Sequence, residues 1–239
     1  MQYAYNLGSR FVDFEGGEPT LWRDGERTLN NLIDLAISIG FYTTTVTTNA
    51  QLPFRGLRAH SIWVSMDGVG EYHDAVRGKG SFDKLVANIA DCGHNALSIN
   101  MVIDANNYVN VLDALDFAQT NPNIQSIAFN FYTPFSLNDD PLFLDWDKRC
   151  QVIDQIIEKK RSGYAIMNSV SGLKRMKNLN FKKACWLCNY ILVDGTRLLE
   201  CPGSTVGVCE KCGFCMAGEM RSVLNFCPDT LMAGLKLRV

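Results

Sequence analysis

The sequence predicts an α/β protein: a parallel sheet built from βα units, with a smaller cysteine-rich α+β region after it. Three observations predict it. From residue 10 to residue 131, short β-branched or apolar runs alternate with stretches whose apolar residues recur at helical spacing, the pattern of βαβ units. Hydrophobic residues are 47% of 239, enough to build a substantial core. Seven of the nine cysteines fall in the last quarter, where glycines multiply and periodic runs thin out. A boundary is therefore expected near residue 180, dividing residues 1–180 from 181–239.

Residues 1–9 read as the tail of a helix and 10–14 as a strand. That strand runs into Phe14-Glu15-Gly16-Gly17-Glu18-Pro19-Thr20-Leu21. Two glycines followed by a carboxylate and a proline make a tight turn that exposes its backbone. At a strand end such a turn either docks a small polar ligand or merely leads into a helix. Leu29, Leu32, Ile33, Ala36 and Ile37 place a helix from Thr28 to Ile39, with Gly40 as its stop. Thr43 to Thr48 is a β-branched strand. In Thr47-Thr48-Asn49-Ala50, Asn49 either meets a ligand or stabilises its own turn.

Ser61 to Met66 is the next strand and ends at Asp67-Gly68. Ser65 and Asp67, two apart, leave on the same face. In the following His73-Asp74-Ala75-Val76-Arg77-Gly78-Lys79-Gly80-Ser81-Phe82, Arg77 carries a planar fork suited to a carboxylate, or else makes a surface ion pair. Phe82, Leu85, Val86, Ile89 and Ala90 mark a second helix. Ala96 to Ile103 is a strand; Val111, Leu112, Leu115 and Ala118 mark a third helix; Ser126 to Phe131 is a fifth strand. Asn100 and Asn130 lie within the last two strands and either point into a barrel that the sheet would form or, the favoured reading, are satisfied polar core residues. Residues 132–145 form a loop, and 146–161 a helix with Trp146, Cys150, Ile153, Ile156 and Ile157 on one face. Residues 166–177 are a link to the tail. Parallel crossovers are right-handed, which gives the sheet a single sense of curl.

The net charge of −2 carries no electrostatic footprint for nucleic acid. No apolar run approaches the ~18 residues of a membrane span. Met1-Gln2-Tyr3-Ala4-Tyr5 has no signal-peptide character, so the default compartment is the cytoplasm. His60, His73 and His94 stand in no ligand-like spacing. Cys92 and Cys150 lie on periodic helices and read as small buried apolar residues.

The remaining thiols run Cys185-x2-Cys188-x12-Cys201-x7-Cys209-x2-Cys212-x2-Cys215-x11-Cys227. In a reducing compartment this density reads as metal binding rather than disulfides. Two Cys-x2-Cys pairs suit a zinc ribbon, while the three extra thiols exceed what one zinc needs and suit iron–sulfur clusters. Tyr190 to Leu199 reads as a β-hairpin around Asp194-Gly195.

The Gly-Gly-Glu-Pro turn, Trp63-Val64-Ser65-Met66-Asp67-Gly68 and the His73–Phe82 run together resemble the radical S-adenosylmethionine superfamily, over residues 8 to about 132. The resemblance implies a partial (βα)6 TIM-like barrel in which these five strands are the second to the sixth and the first is lacking. It implies S-adenosylmethionine as cofactor, split on a reduced [4Fe–4S] cluster into methionine and a 5′-deoxyadenosyl radical. That radical abstracts hydrogen from a substrate, a peptide or small molecule, and a flavodoxin or ferredoxin supplies the electron. Gly16, Gly17, Glu18 and Pro19 would contact the cofactor's amino group; Asn49 the cofactor or substrate; Ser65 and Asp67 the ribose or carboxylate; Arg77 the carboxylate. The cysteine tail resembles the auxiliary-cluster extensions called SPASM and twitch domains, departing from the SPASM pattern at Cys212-x2-Cys215. It implies Cys185, Cys188, Cys201, Cys209, Cys212, Cys215 and Cys227 as ligands of one or two auxiliary [4Fe–4S] clusters.

The superfamily's Cys-x3-Cys-x2-Cys loop precedes the Gly-Gly-Glu-Pro turn, and residues 1 to 15 contain no cysteine. Either Met1 is an internal methionine of a longer protein, which is the favoured expectation and places that loop upstream, or the chain is a degenerate fragment. The 239-residue chain is then expected to be inactive by itself and poorly soluble through an unpaired sheet edge. The alternative is a non-catalytic scaffold whose tail holds zinc or a single cluster. A plain hydrolase or isomerase lacks a nucleophile–base constellation.

Overall fold

Sequential parallel pairing dominates the computed structural model, which describes residues 1–136, 138–192 and 194–236. In chain order its first elements are α1 (Gln2–Asn6), β1 (Phe11–Phe14), the two-residue strands β2 (Arg23–Asp24) and β3 (Arg27–Thr28), α2 (Leu29–Ile39), β4 (Thr43–Thr48) and β5 (Ser61–Ser65). Next come α3 (Glu71–Arg77), α4 (Ser81–Asp91), β6 (Leu97–Ile103), α5 (Val111–Thr120) and β7 (Ser126–Phe131). One five-stranded sheet has the order β1-β4-β5-β6-β7. Its pairs β1–β4, β4–β5 and β5–β6 are parallel. A mixed α/β fold with a sheet of consecutive strands is what the alternating periodicities predict.

The chain divides into two units. One comprises Met1–Met101 and Asp113–Ile127; the other comprises Val102–Leu112 and the chain from Ala128 onward. In the first unit, burial follows helical spacing. On α2, Leu29, Ile33 and Ala36 are buried at i, i+4 and i+7, and on α4 so are Leu85 and Ile89. Leu29, Ile33, Val46 and Ala59 form a core cluster, with Phe14, Leu32 and Leu57 packed against it. Gly40 ends α2 in the left-handed conformation. β1 is an edge strand, where Phe11 is 64% exposed and packs edge to face on Tyr42.

The helix α3 is a correction to the sequence reading, which leaves Glu71–Arg77 without an element. Its single buried residue is His73, so it carries no apolar stripe to detect.

The second unit continues with α6 (Trp146–Arg161), α7 (Val170–Arg175), the short strands β8 (Tyr190–Ile191) and β9 (Arg197–Leu198), α8 (Pro202–Thr205), α9 (Met216–Leu224) and α10 (Pro228–Lys236). α6 is capped by Asp145, whose carboxylate accepts from the Lys148 N–H at 2.9 Å. β8 and β9 pair antiparallel, and the Asp194 carboxylate accepts from Thr196 N–H at 2.8 Å. This is the expected hairpin; its Val193 lies outside the described residues.

The tail is more helical than its sequence suggests, and residues 166–177 are more than a link. α7 and α9 meet at paired glycines: a Cβ on Gly218 would come within 2.6 Å of the Gly172 carbonyl oxygen. Polar groups fix the crossing. The half-buried Glu219 carboxylate accepts from Ser169 N–H (2.9 Å) and Oγ (2.5 Å). Asp229 accepts from Ser171 N–H (2.8 Å) and Oγ (2.7 Å). Glycines and hydrogen bonds, rather than a wide apolar stripe, hold these helices, so periodicity does not reveal them. Cys92 is buried as expected, whereas Cys150 is half-buried with its Sγ 3.4 Å from the Lys177 carbonyl. No helix among the described residues is long and apolar enough to cross a membrane.

Candidate functional site

Register decides which residues leave the sheet together. Phe14 aligns with Val46, Thr48 with Val64 and Ser65 with Asn100. The segments Glu15–Pro19, Asn49–Gln51 and Met66–Asp67 therefore leave the carboxyl ends of three adjacent parallel strands, where open α/β sheets take ligands.

Gly16 and Gly17 both have positive φ, 91° and 54°. Among the described residues neither glycine's N–H nor C=O is hydrogen-bonded. A cleft of about 480 Å³ runs beside the turn, lined by Phe14, Gly16, Glu18, Pro19, Trp22 and Leu32 among others. Pro19 is buried at the first position of a 3₁₀ turn, Pro19–Leu21. No atom lies within 4 Å of a Cβ built on Gly17. Gly17→Ala therefore meets only the left-handed backbone penalty and is expected to cost about 1 kcal/mol, measured by urea denaturation.

Glu18 turns inward and joins two loops. Its Oε1 accepts from Thr20 N–H (3.1 Å), Thr20 Oγ1 (2.6 Å) and Thr48 Oγ1 (2.7 Å), and its Oε2 from Asn49 N–H (2.8 Å). A carboxylate offers about four acceptor sites, so this side chain has little capacity left for a ligand; the glycine carbonyls and the exposed Glu15, which also lines the cleft, are free acceptors among the described residues. Asn49 closes its own turn, its Oδ1 accepting from Gln51 N–H at 2.9 Å, which leaves its amide nitrogen as a donor.

A second group follows β5. Ser65 is the last, half-buried residue of the strand. Asp67 is buried and paired with Arg77, whose Nε donates to its Oδ2 at 2.6 Å. Arg77 is thus in an ion pair within the chain, and the rest of its guanidinium is the portion open to a ligand. His73 is fully buried; its Nδ1 accepts from Asp67 N–H at 3.1 Å, and burial holds the imidazole below its ordinary pKa, hence neutral. His73 supports the Asp67 backbone, a part its lack of any ligand-like spacing hides. Asp74 accepts from Gly80 N–H, Ser81 Oγ and Phe82 N–H, and so joins α3 to the start of α4.

In the second unit all nine cysteines of the chain's count but Cys92 occur, and every thiol is free. Burial, followed by the neighbouring Cys201, Cys212, Cys209 and Cys188, raises the Cys185 thiol, which places five thiols in one electrostatic neighbourhood. Burial also raises Cys212, and pushes the fully buried Cys215 up to about 12. Cys227 stands at the start of α10, its carbonyl accepting from Thr230 and Leu231 N–H. Among the described residues no three His, Cys, Asp or Glu side chains are gathered closely enough to hold a metal ion.

The donor chemistry nonetheless fits a soft metal centre, and the Cys212–Cys215 loop is fixed in place. Phe131 N–H donates to the Gly213 carbonyl (2.8 Å), Gly213 N–H to Thr133 Oγ1 (2.8 Å), and Cys215 N–H to Asn130 Oδ1 (2.9 Å). Arg149 Nη2 donates to the Cys212 carbonyl at 3.0 Å, while its Nε and Nη1 are buried without a partner among the described residues. A buried cation with unused donors beside thiols is what an anionic thiolate centre completes. Arg149 was legible as a charge on the apolar face of α6, three residues after Trp146 and four before Ile153.

No family model and no curated protein matches this chain. Its fold is similar to that of the crystal structure of Streptococcus suis SuiB, with a TM-score of 0.52 and 18% identity, over 65% of this chain and 38% of SuiB. The crystal structure of SuiB bound to S-adenosylmethionine matches with a TM-score of 0.50 and 17% identity, over the same shares. The match spans well under half the SuiB chain, and the likeness is one of fold.

Proposed function

We propose that this chain is a radical S-adenosylmethionine protein that binds its cofactor at the carboxyl rim of the first unit and carries auxiliary iron–sulfur ligands in the tail beyond about residue 180. One observation carries the reading. The Gly-Gly-Glu-Pro turn, the Asn49 turn and the Met66-Asp67 segment leave three adjacent parallel strands at one rim, in a chain whose fold is similar to SuiB, one of whose crystal structures holds S-adenosylmethionine.

The residues divide the work by chemistry. The unpaired carbonyls of Gly16 and Gly17 accept from an ammonium. Glu18 holds the two loops at a fixed spacing rather than touching the ligand. The Asn49 amide and the Ser65 hydroxyl offer hydrogen bonds to ribose or carboxylate oxygens. Asp67 orients Arg77, whose remaining N–H groups meet a carboxylate. The first cysteine of the sequence is Cys92, so ligands for a catalytic cluster are not among the residues of this rim. Auxiliary clusters, when bound, would supply one-electron chemistry. The substrate is then a peptide or small molecule, and the reductant a small electron-transfer protein such as a flavodoxin or ferredoxin.

Iron, sulfide and zinc contents of the anaerobically purified chain test the tail. Roughly four or eight irons per chain, matched by sulfide and lost when Cys185, Cys188, Cys209, Cys212 or Cys215 is changed to Ala, are expected. Zinc without iron would overturn the iron–sulfur part and favour a non-catalytic scaffold.

A further inference from the structure

Arg149 is the most anomalous charge among the described residues. It is 1% exposed. Its guanidinium lies 4.4 Å from the ring centre of Phe131 and 4.9 Å from that of Trp146. Two aromatic faces favour a cation but do not use its in-plane N–H groups. Of those groups one is satisfied, by the Cys212 carbonyl at 3.0 Å, and the Nε and Nη1 groups are buried with no acceptor among the described residues. No carboxylate pairs with Arg149 among the described residues; the acidic groups that act on it are Cys215, Cys212 and Cys150. A buried guanidinium is normally fully hydrogen-bonded and paired, because leaving a charge without either is among the costlier arrangements in a protein.

The surroundings are built rather than incidental. Gly213 sits where any Cβ would strike the Phe131 carbonyl oxygen at 1.8 Å, so the loop between Cys212 and Cys215 lies directly on the end of β7. Asn130 and Thr133 hold the backbone on either side. Two cysteines separated by two residues can bring both sulfurs to one metal. Metal ligation requires both as thiolates, and thereby supplies the negative charge and the sulfur acceptors that Arg149 lacks.

We propose that Arg149 is the counter-cation and hydrogen-bond donor of a metal–thiolate centre ligated by Cys212 and Cys215. It is a positioning residue: it fixes the loop through the Cys212 carbonyl and donates its remaining N–H groups to the sulfurs of the centre. The inference rests on the reading that these two cysteines hold metal. Its consequences are specific. Outer-shell donors and nearby positive charge retain a thiolate centre and, for an iron–sulfur cluster, favour the reduced state.

The test compares the wild-type chain with Arg149→Met and Arg149→Lys, all purified anaerobically. Metal and sulfide per chain, the rate of metal release to a chelator and, where iron is present, the midpoint potential are measured. Arg149→Met should release metal at least tenfold faster and should shift the ratio of reduced to oxidised cluster about tenfold toward oxidised at a fixed poise, ~59 mV for one electron. Arg149→Lys keeps the charge, loses the fork and should fall between. Circular dichroism checks that the variants fold; if Arg149→Met does not, release from Arg149→Lys decides, about threefold faster supporting the role and wild-type release overturning it. Metal in the wild type with unchanged release and potential in Arg149→Met overturns the role of Arg149 alone. A wild-type chain without metal overturns both this role and the reading beneath it.

Discussion

Gly213→Ala should lower the stability of the second unit by about 3 kcal/mol or more. The added methyl would stand 1.8 Å from the Phe131 carbonyl oxygen and 2.4 Å from its carbon, both backbone atoms that no side-chain rotation can move. The loop must lift, and lifting it breaks the Phe131 N–H to Gly213 carbonyl bond and the Gly213 N–H to Thr133 bond. Overpacking costs typically about 1–3 kcal/mol, and each lost hydrogen bond adds about 1 kcal/mol. Gly234→Ala is the contrast: it lies in α10 with nothing within 4 Å of a built Cβ and without a positive φ, so it should gain about 0.5–1 kcal/mol. Urea denaturation followed by circular dichroism distinguishes the two. Equal small effects would mean that the Cys212–Cys215 loop does not lie on β7.

Glu18→Ala should cost about 2–3 kcal/mol. It leaves Thr20 N–H and Asn49 N–H without their acceptor and frees the hydroxyls of Thr20 and Thr48. Glu18→Gln should not restore stability, because an amide turns an N–H₂ group toward one of these donors. Thr48→Val should add little in the Glu18→Ala background, since the two share one interaction. A cost below about 0.5 kcal/mol for Glu18→Ala would remove Glu18 as the link between the first two rim loops.

Both residues show where sequence reasoning ends. The five strands of the parallel sheet are legible as β-branched or apolar runs and the helices α2, α4, α5 and α6 by an apolar face at a period of 3.6 residues, whereas the mostly exposed two-residue strands β2 and β3 carry no such signal. Nor do the helices α7 and α9, since Gly172, Gly218, Ser169 and Glu219 hold them by close approach and hydrogen bonds. At the rim, the sequence picks out Gly16 to Pro19, Asn49, Ser65, Asp67 and Arg77. It does not reveal that Glu18 reaches a threonine thirty positions on, because that contact exists only once β1 and β4 are paired in this register. Nor does it pair Arg77 with Asp67, ten positions apart across α3. The tail cysteines are legible as a set from density alone, but their neighbours are not: Arg149 joins Cys212 across 63 positions.

Calorimetric titration of the purified chain with S-adenosylmethionine, under anaerobic conditions, bears on the cofactor assignment without intermediaries. One equivalent should bind saturably, and Arg77→Lys, which keeps a charge for Asp67 but loses the fork, should bind at least tenfold more weakly. Absence of saturable heat from the folded wild-type chain, or equal affinity in Arg77→Lys, would contradict the placement of the cofactor at this rim.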